Sequence, residues 1–161
     1  MTVRVDDATH HPVRRANKVP RFVTLMSPVL QALMRRGVPM GPNVLLTVHG
    51  RKTGAPRTTP VAIIEVEGRR WIWSPWGDVH WAMNLRAAGR ATVSVRGREE
   101  AVTATELDEP GRVAFFRDTF TPFAKAMRGG EAFVRVVDGV SLDDPAEVAA
   151  RTRVFELHQA G

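Results

Sequence analysis

The chain contains no cysteine and no tyrosine, and only three of its 23 basic residues (Lys18, Lys52 and Lys125) are lysine. Without cysteine there are no disulfides, thiolate nucleophiles, iron–sulfur clusters or cysteine zinc sites. Without tyrosine there is no phenolic proton donor or substrate clamp. No stretch approaches the roughly 20 apolar residues that a membrane-spanning helix requires. The opening Met1–Asp7 lacks the apolar core of a secretory signal, so a cytoplasmic location is expected. His10-His11, His49, His80 and His158 have no ligand spacing with carboxylates, and no metal site is expected. Ser27, Ser74, Ser94 and Ser141 lack a nucleophile elbow, and no carboxylate pair suggests glycosidase chemistry.

What is present suits one globular domain: 161 residues, 43% hydrophobic and 25% charged, with a net charge of +6. Arginine grips phosphate and carboxylate as a fork, so the basic excess suits an anionic partner, though a general arginine bias produces the same count. Residues 1–19 are polar, basic and aperiodic, and are expected to be flexible. Residues 20–161 are read as a single domain. Pro20–Arg36 carries apolar residues at helical spacing, interrupted by Pro28 and ended by Gly37 and Pro39. This basic amphipathic helix is expected to pack across one end of the domain, and its charge also permits peripheral contact with a membrane surface.

The period then changes to two. Strands are predicted at Val44–Val48, Thr58–Val66, Arg70–Ser74, Ala91–Val95, Glu99–Glu106 and Arg153–Leu157. Hairpin turns fall at Glu67-Gly68 and Gly97. Helices are predicted at Val79–Ala88, at Pro110–Phe120 behind Asp108 or Glu109, and at Pro145–Ala150. Thr121–Asp144 gives no clear pattern. Six strands with an N-terminal helix and two or three short helices are too few helices for βαβ units. The fold class is therefore mainly β (α+β), an antiparallel sheet closed or half-closed into a barrel.

Three features carry chemistry. The first is Gly50-Arg51-Lys52-Thr53-Gly54-Ala55-Pro56-Arg57. Its glycines let backbone N–H groups face a ligand, while Arg51, Lys52 and Arg57 supply charge and Thr53 a hydroxyl. It is neither a Walker loop nor a dinucleotide fingerprint, and a solvated hairpin turn would have the same composition. The second is the cluster Trp71, Trp73, Trp76 and Trp81. Trp71 and Trp73 share a strand face, which suits core, whereas Trp76 lies in a loop, where a large apolar ring suits the cap of a pocket. The third is the helix start around Asp78, read as its N-cap, with Trp81 and Asn84 on one face. Arg96-Gly97-Arg98 is followed at once by Glu99-Glu100 and reads as a hairpin turn, with no nucleic-acid motif.

Gly50-Arg51-Lys52-Thr53-Gly54 with Arg57, then Thr59-Pro60-Val61, then Gly77 and Trp81-Ala82-Met83-Asn84-Leu85-Arg86, resembles the deazaflavin-dependent nitroreductase family, whose members use coenzyme F420. Arg153-Val154-Phe155-Glu156-Leu157 is similar to that family's closing strand, and the resemblance covers about residues 20–158. It implies a split β-barrel with the coenzyme in a groove. By this resemblance, Arg51, Lys52 and Arg57 would hold the coenzyme's phosphate and acidic tail. Thr53, Thr58, Thr59, Pro60 and Val61 would line the groove, and Ser74, Gly77, Trp81 and Asn84 would flank the deazaflavin ring. Some relatives carry a lysine where this chain has Pro75-Trp76, and any tyrosine-based step is excluded.

The expected activity is hydride transfer from reduced coenzyme F420 to a planar, electron-poor quinone, nitro or enone. The chemistry would be borne by the cofactor, with no catalytic side chain required; solvent or His80 would supply the proton. Trp76 and segment 121–140 are the candidate substrate wall. One rival is the same barrel using FMN, whose shorter phosphate tail would not need three basic groups in one turn. The other is a non-catalytic module for an anionic ligand. The partner is a small molecule, and the protein is expected to be a monomer or homodimer.

Overall fold

A computed structural model describes residues 28–29, 31–37, 43–130 and 141–161. The expected flexible segment 1–19, the first part of the N-terminal helix and residues 131–140 of the candidate substrate wall lie outside the described residues. The strands are β1 (Asn43–His49), β2 (Pro56–Val66), β3 (Arg69–Ser74), β4 (Arg90–Val95), β5 (Arg98–Glu106) and β6 (Arg153–Gln159). They form a closed antiparallel barrel in the order β1-β2-β3-β6-β5-β4. The seam between first and fourth strands is short, running from Leu45 opposite Ser94 to Thr47 opposite Thr92. Closure leaves no free sheet edge, as the sequence pattern predicts.

Alternation along the strands creates two separate cores. Val44, Leu46, Val48, Val61, Ile72, Val93, Val102, Phe155 and Leu157 fill the barrel. Ile64, Trp71, Trp73 and Val154 point outward from β2, β3 and β6 onto a helical layer. Trp73 lies 4.8 Å from Phe120, and Trp71 lies 5.4 Å from Phe115, in tilted ring contacts. Such pairs add about 0.5–1.5 kcal/mol beyond burial. The shared face of Trp71 and Trp73 is therefore core.

The helical layer consists of α2 (Glu109–Ala114), a π-helical turn at Phe115–Phe120, α3 (Thr121–Ala126) and α4 (Pro145–Arg151). Asp108 caps α2 by accepting from the Gly111 N–H at 2.8 Å. The predicted helix Pro110–Phe120 thus widens before its end, where the Thr121 N–H reaches back to the Phe116 carbonyl. Pro122 follows directly, and its ring would clash with the Asp118 carbonyl in a continuous α-helix. Widening the preceding turn relieves that conflict. Buried Arg112 ties α2 to α4 by donating to the Ala149 carbonyl at 2.8 Å.

One end of the barrel carries the two tight hairpins. Glu67-Gly68 and Arg96-Gly97 both have positive φ at each central residue, the form whose twist matches the flanking strands. Among the described residues of the N-terminal helix, Met34 is buried and Val29 and Leu33 are exposed. That helix ends at Gly37, whose α-carbon lies against the Arg96-Gly97 turn. The described part, through Met34 and Gly37, packs at this end of the barrel. The opposite end is covered by the Gly50–Ala55 turn and by α1 (His80–Ala88), which inserts Ala82 and Leu85 into the barrel core.

Candidate functional site

Six residues separate β1 from β2, enough for a rounded turn rather than a tight hairpin. The Gly50 N–H donates to the Ala55 carbonyl, and the Gly54 N–H to the Gly50 carbonyl, both at 2.8 Å. Gly54 has φ +71°, a conformation that side chains disfavour. The Thr53 hydroxyl accepts from the Ala55 N–H, and His49 Nδ1 donates to the Gly54 carbonyl at 2.9 Å. Residues 51–57 are all exposed, so the basic side chains stand on a structured but open rim.

The helix α1 faces this turn. Its first turn has no side-chain cap, and its N-cap is Val79. The expectation that Asp78 caps it is overturned, because two arginines capture that carboxylate. Arg86 NH2 donates to Asp78 Oδ1 at 2.7 Å, and Arg153 Nε donates to the same oxygen at 3.0 Å. Burial pushes the Asp78 pKa up, but the hydrogen bonds from Arg86 and Arg153 outweigh it and hold the carboxyl below the usual range. Arg86 also pairs with Glu106 on β5, mainly by hydrogen bonding, and its own pKa is raised. This network fixes the loop before α1, the helix itself and two strands to one another. Gly89, in the left-handed conformation, ends the helix.

Between the turn and α1 lies a groove of about 480 Å³. Gly50, Arg51, Lys52, Thr53, Arg57, Thr58 and Thr59 line one side; His80, Trp81 and Asn84 line the other. Eight of the predicted binding residues therefore meet in one cavity, together with His80. Asn84 is buried and joins the two walls: its Oδ1 accepts from Arg51 NH1 at 2.8 Å and from the Arg51 N–H at 3.2 Å. Trp81 packs at 6.0 Å on Phe155 of the barrel core, so it is both groove wall and helix anchor. Thr58 is held by the Thr47 hydroxyl at 2.8 Å.

The remaining predicted residues lie elsewhere. Val61 is turned into the barrel core, while Pro60 is half-buried and outside the groove lining. Ser74 is fully buried and donates to the Gly77 carbonyl at 2.8 Å. Gly77 has φ +78°, and a side chain there would approach the Arg151 carbonyl. These two residues shape the bend that leads into α1. Trp76 is half-buried and outside the groove lining, and described residues 121–130 do not line it either. Among the described residues there is no cluster able to hold a metal ion, and no helix long and apolar enough to cross a membrane.

With a basic turn, three threonines and an indole around one cavity, the geometry suits a ligand with an anionic end and a flat ring. The profile of the F420H(2)-dependent quinone reductase family matches residues 20–129, which span both walls of the groove. The chain belongs to this family. It is an F420-dependent oxidoreductase, and coenzyme F420 is its cofactor. The donor set of this family member fits that coenzyme: among the described residues, three basic side chains line the groove and no carboxylate does. FMN remains only the alternative.

Several solved structures resemble the chain. A F420-H2-dependent reductase is 23% identical, covering 73% of this chain and 94% of its own, at a TM-score of 0.46. A pyridoxamine 5′-phosphate oxidase-related FMN-binding protein from Nostoc punctiforme is 14% identical, covering 82% and 79%, at 0.49. A protein from Listeria innocua described as a pyridoxamine 5′-phosphate oxidase is 12% identical, covering 83% and 92%, at 0.48.

Proposed function

We propose that the protein reduces a planar, electron-poor organic acceptor of the quinone, nitro or enone type at the groove between the Gly50–Ala55 turn and α1. The observation that carries this reading is the meeting of Arg51, Lys52 and Arg57 with Trp81 across a single cavity. Bound reduced coenzyme F420 supplies the hydride. Arg51, Lys52 and Arg57 hold its phosphate and acidic tail by charge-assisted hydrogen bonds. Thr53, Thr58 and Thr59 offer hydroxyl and backbone groups along the groove, and Trp81 offers a flat apolar wall for the ring. Fixing the ring in this way removes orientational freedom that an encounter in solution would have to lose.

His80 begins α1 on the rim of the groove and is exposed. Its imidazole, or solvent beside it, delivers the proton that completes reduction of the acceptor. No side-chain nucleophile enters the reaction. Ser74 and Gly77 support this arrangement from behind, by setting the direction of the loop into α1.

Titration of the purified protein with coenzyme F420 and with FMN, followed by fluorescence, tests the binding half of the reading. Selective binding of F420 is expected. Mixing the complex with reduced coenzyme and a panel of quinones, nitroarenes and enones tests the chemistry. Coenzyme oxidation that depends on both protein and acceptor is expected. Tight binding without turnover across the panel would contradict the acceptor class.

A further inference from the structure

Among the three basic residues of the turn, Arg51 differs from the others. Lys52 and Arg57 make no ion pair or hydrogen bond among the described side chains, whereas Arg51 is bound to Asn84 through both its backbone and its guanidinium. Asn84 is 33 residues away in sequence, is 6% exposed, and sits between Met83 and Leu85 on α1. Its neighbours Ala82 and Leu85 are fully buried in the barrel core, so the acceptor oxygen is carried on a rigid support. On its other flank the same turn is held by His49 Nδ1 on the Gly54 carbonyl. The backbone contact sets the height of the turn over α1, and the guanidinium contact sets which way the arginine points. One guanidinium nitrogen is thereby committed to the protein, and the remaining donors are held in a fixed plane.

We propose that Asn84 is a positioning residue for coenzyme binding: it orients Arg51 and seats the Gly50–Ala55 turn before the ligand arrives. This rests on the reading of the groove as the coenzyme site. A long charged side chain loses rotamer freedom when it grips a ligand, and an arginine already fixed in place loses less. Asn84 therefore acts on affinity through Arg51.

Amide hydrogen exchange on coenzyme-free protein reads the seating directly. The Arg51 N–H is expected to be protected relative to that of Lys52. Asn84→Ala should abolish that protection while leaving the Leu85 amide unchanged, and Asn84→Asp, which keeps an acceptor oxygen, should restore it. Fluorescence titration with coenzyme F420 then reads the coupling. Asn84→Ala should weaken binding about tenfold in the wild-type background and less than twofold in an Arg51→Ala background. Asn84→Ser, too short to reach Arg51, should repeat the result should the alanine variant fold poorly.

An Arg51 amide that exchanges as fast as that of Lys52 would overturn the proposal. So would an Asn84→Ala loss that persists in full without Arg51. Wild-type protein that binds F420 tightly but shows no coupling overturns this proposal alone, whereas wild-type protein that binds no F420 overturns the proposed function as well.

Discussion

Two basic, glycine-containing turns lie at opposite ends of this barrel. Arg96-Gly97, followed by Arg98, joins β4 to β5; Gly50–Ala55, with Arg51, Lys52 and the nearby Arg57, joins β1 to β2. Their compositions are alike, yet the second lines the groove beside α1 and the first does not. The first is a two-residue hairpin with both central residues at positive φ, closed on itself and backed by Gly37. The second spans six residues and is held open from both flanks, by His49 and by Asn84. Charge and glycine therefore do not make a site by themselves. Loop length and a facing helix do.

Removing charge at each end should separate the two turns most strongly. Lys52→Ala with Arg57→Ala is expected to weaken F420 binding by about 100-fold or more, since each hydrogen bond to a charged group contributes about 1.5–3 kcal/mol. Arg96→Ala with Arg98→Ala should change affinity less than about twofold. Fluorescence titration of both double variants at one ionic strength checks this, and similar losses at the two ends would erase the distinction.

Backbone strain gives the next largest effect. Gly54 and Gly97 have φ of +71° and +79°, and a β-carbon at either would meet no clash. Alanine at each position should cost about 1–2 kcal/mol of stability from the left-handed conformation alone. Thermal denaturation should show matching losses. Coenzyme affinity should fall for Gly54→Ala and stay unchanged for Gly97→Ala, because only the first distorts a binding surface.

Acid gives the smallest effect. Asp78 near the groove and Glu100 at the far end both titrate below their ordinary values; hydrogen bonds from Arg86 and Arg153 prevail over burial at Asp78, and the hydrogen bond from Arg70 dominates at Glu100. A depressed carboxyl pKa stabilises the fold above the unfolded value, about 3.9 for aspartate, and that stabilisation is lost as pH falls through the folded value. Asp78→Asn should therefore flatten part of the stability loss below about pH 4, by well under 1 kcal/mol because the Asp78 carboxylate is only half-buried and is screened by solvent. Denaturant unfolding at pH 3 and pH 7 measures it. A variant as acid-sensitive as wild type would show that the Asp78 pairs add no acid-sensitive stability.

Much of this was legible in the residue order. Period-two alternation located all six strands to within about two residues, and Glu67-Gly68 and Gly97 marked their hairpins. The groove was also legible, because the Gly50 turn and the Trp81–Asn84 helix each carry local signals. What escaped were partnerships over distance. Asp78 has the composition and position of an N-cap, but Arg153, 75 residues on, draws its carboxylate away. Ser74, Gly77 and Val61 belong to the same motifs as groove residues, yet strand alternation and a buried bend turn them inward. The π-turn before Pro122 arises from a clash four residues back, which apolar spacing does not register. Nor does the bond from Asn84 to Arg51 leave any local trace.

The proposed role of the Gly50–Ala55 turn and Arg57 is to hold the acidic end of coenzyme F420. It is tested most directly by comparing affinities for the intact coenzyme and for a deazaflavin that lacks the acidic tail, in wild-type protein and in the Lys52→Ala/Arg57→Ala variant. The predicted result is a loss of about 100-fold for the intact coenzyme and almost none for the tail-less ring. Equal losses for both ligands would contradict it.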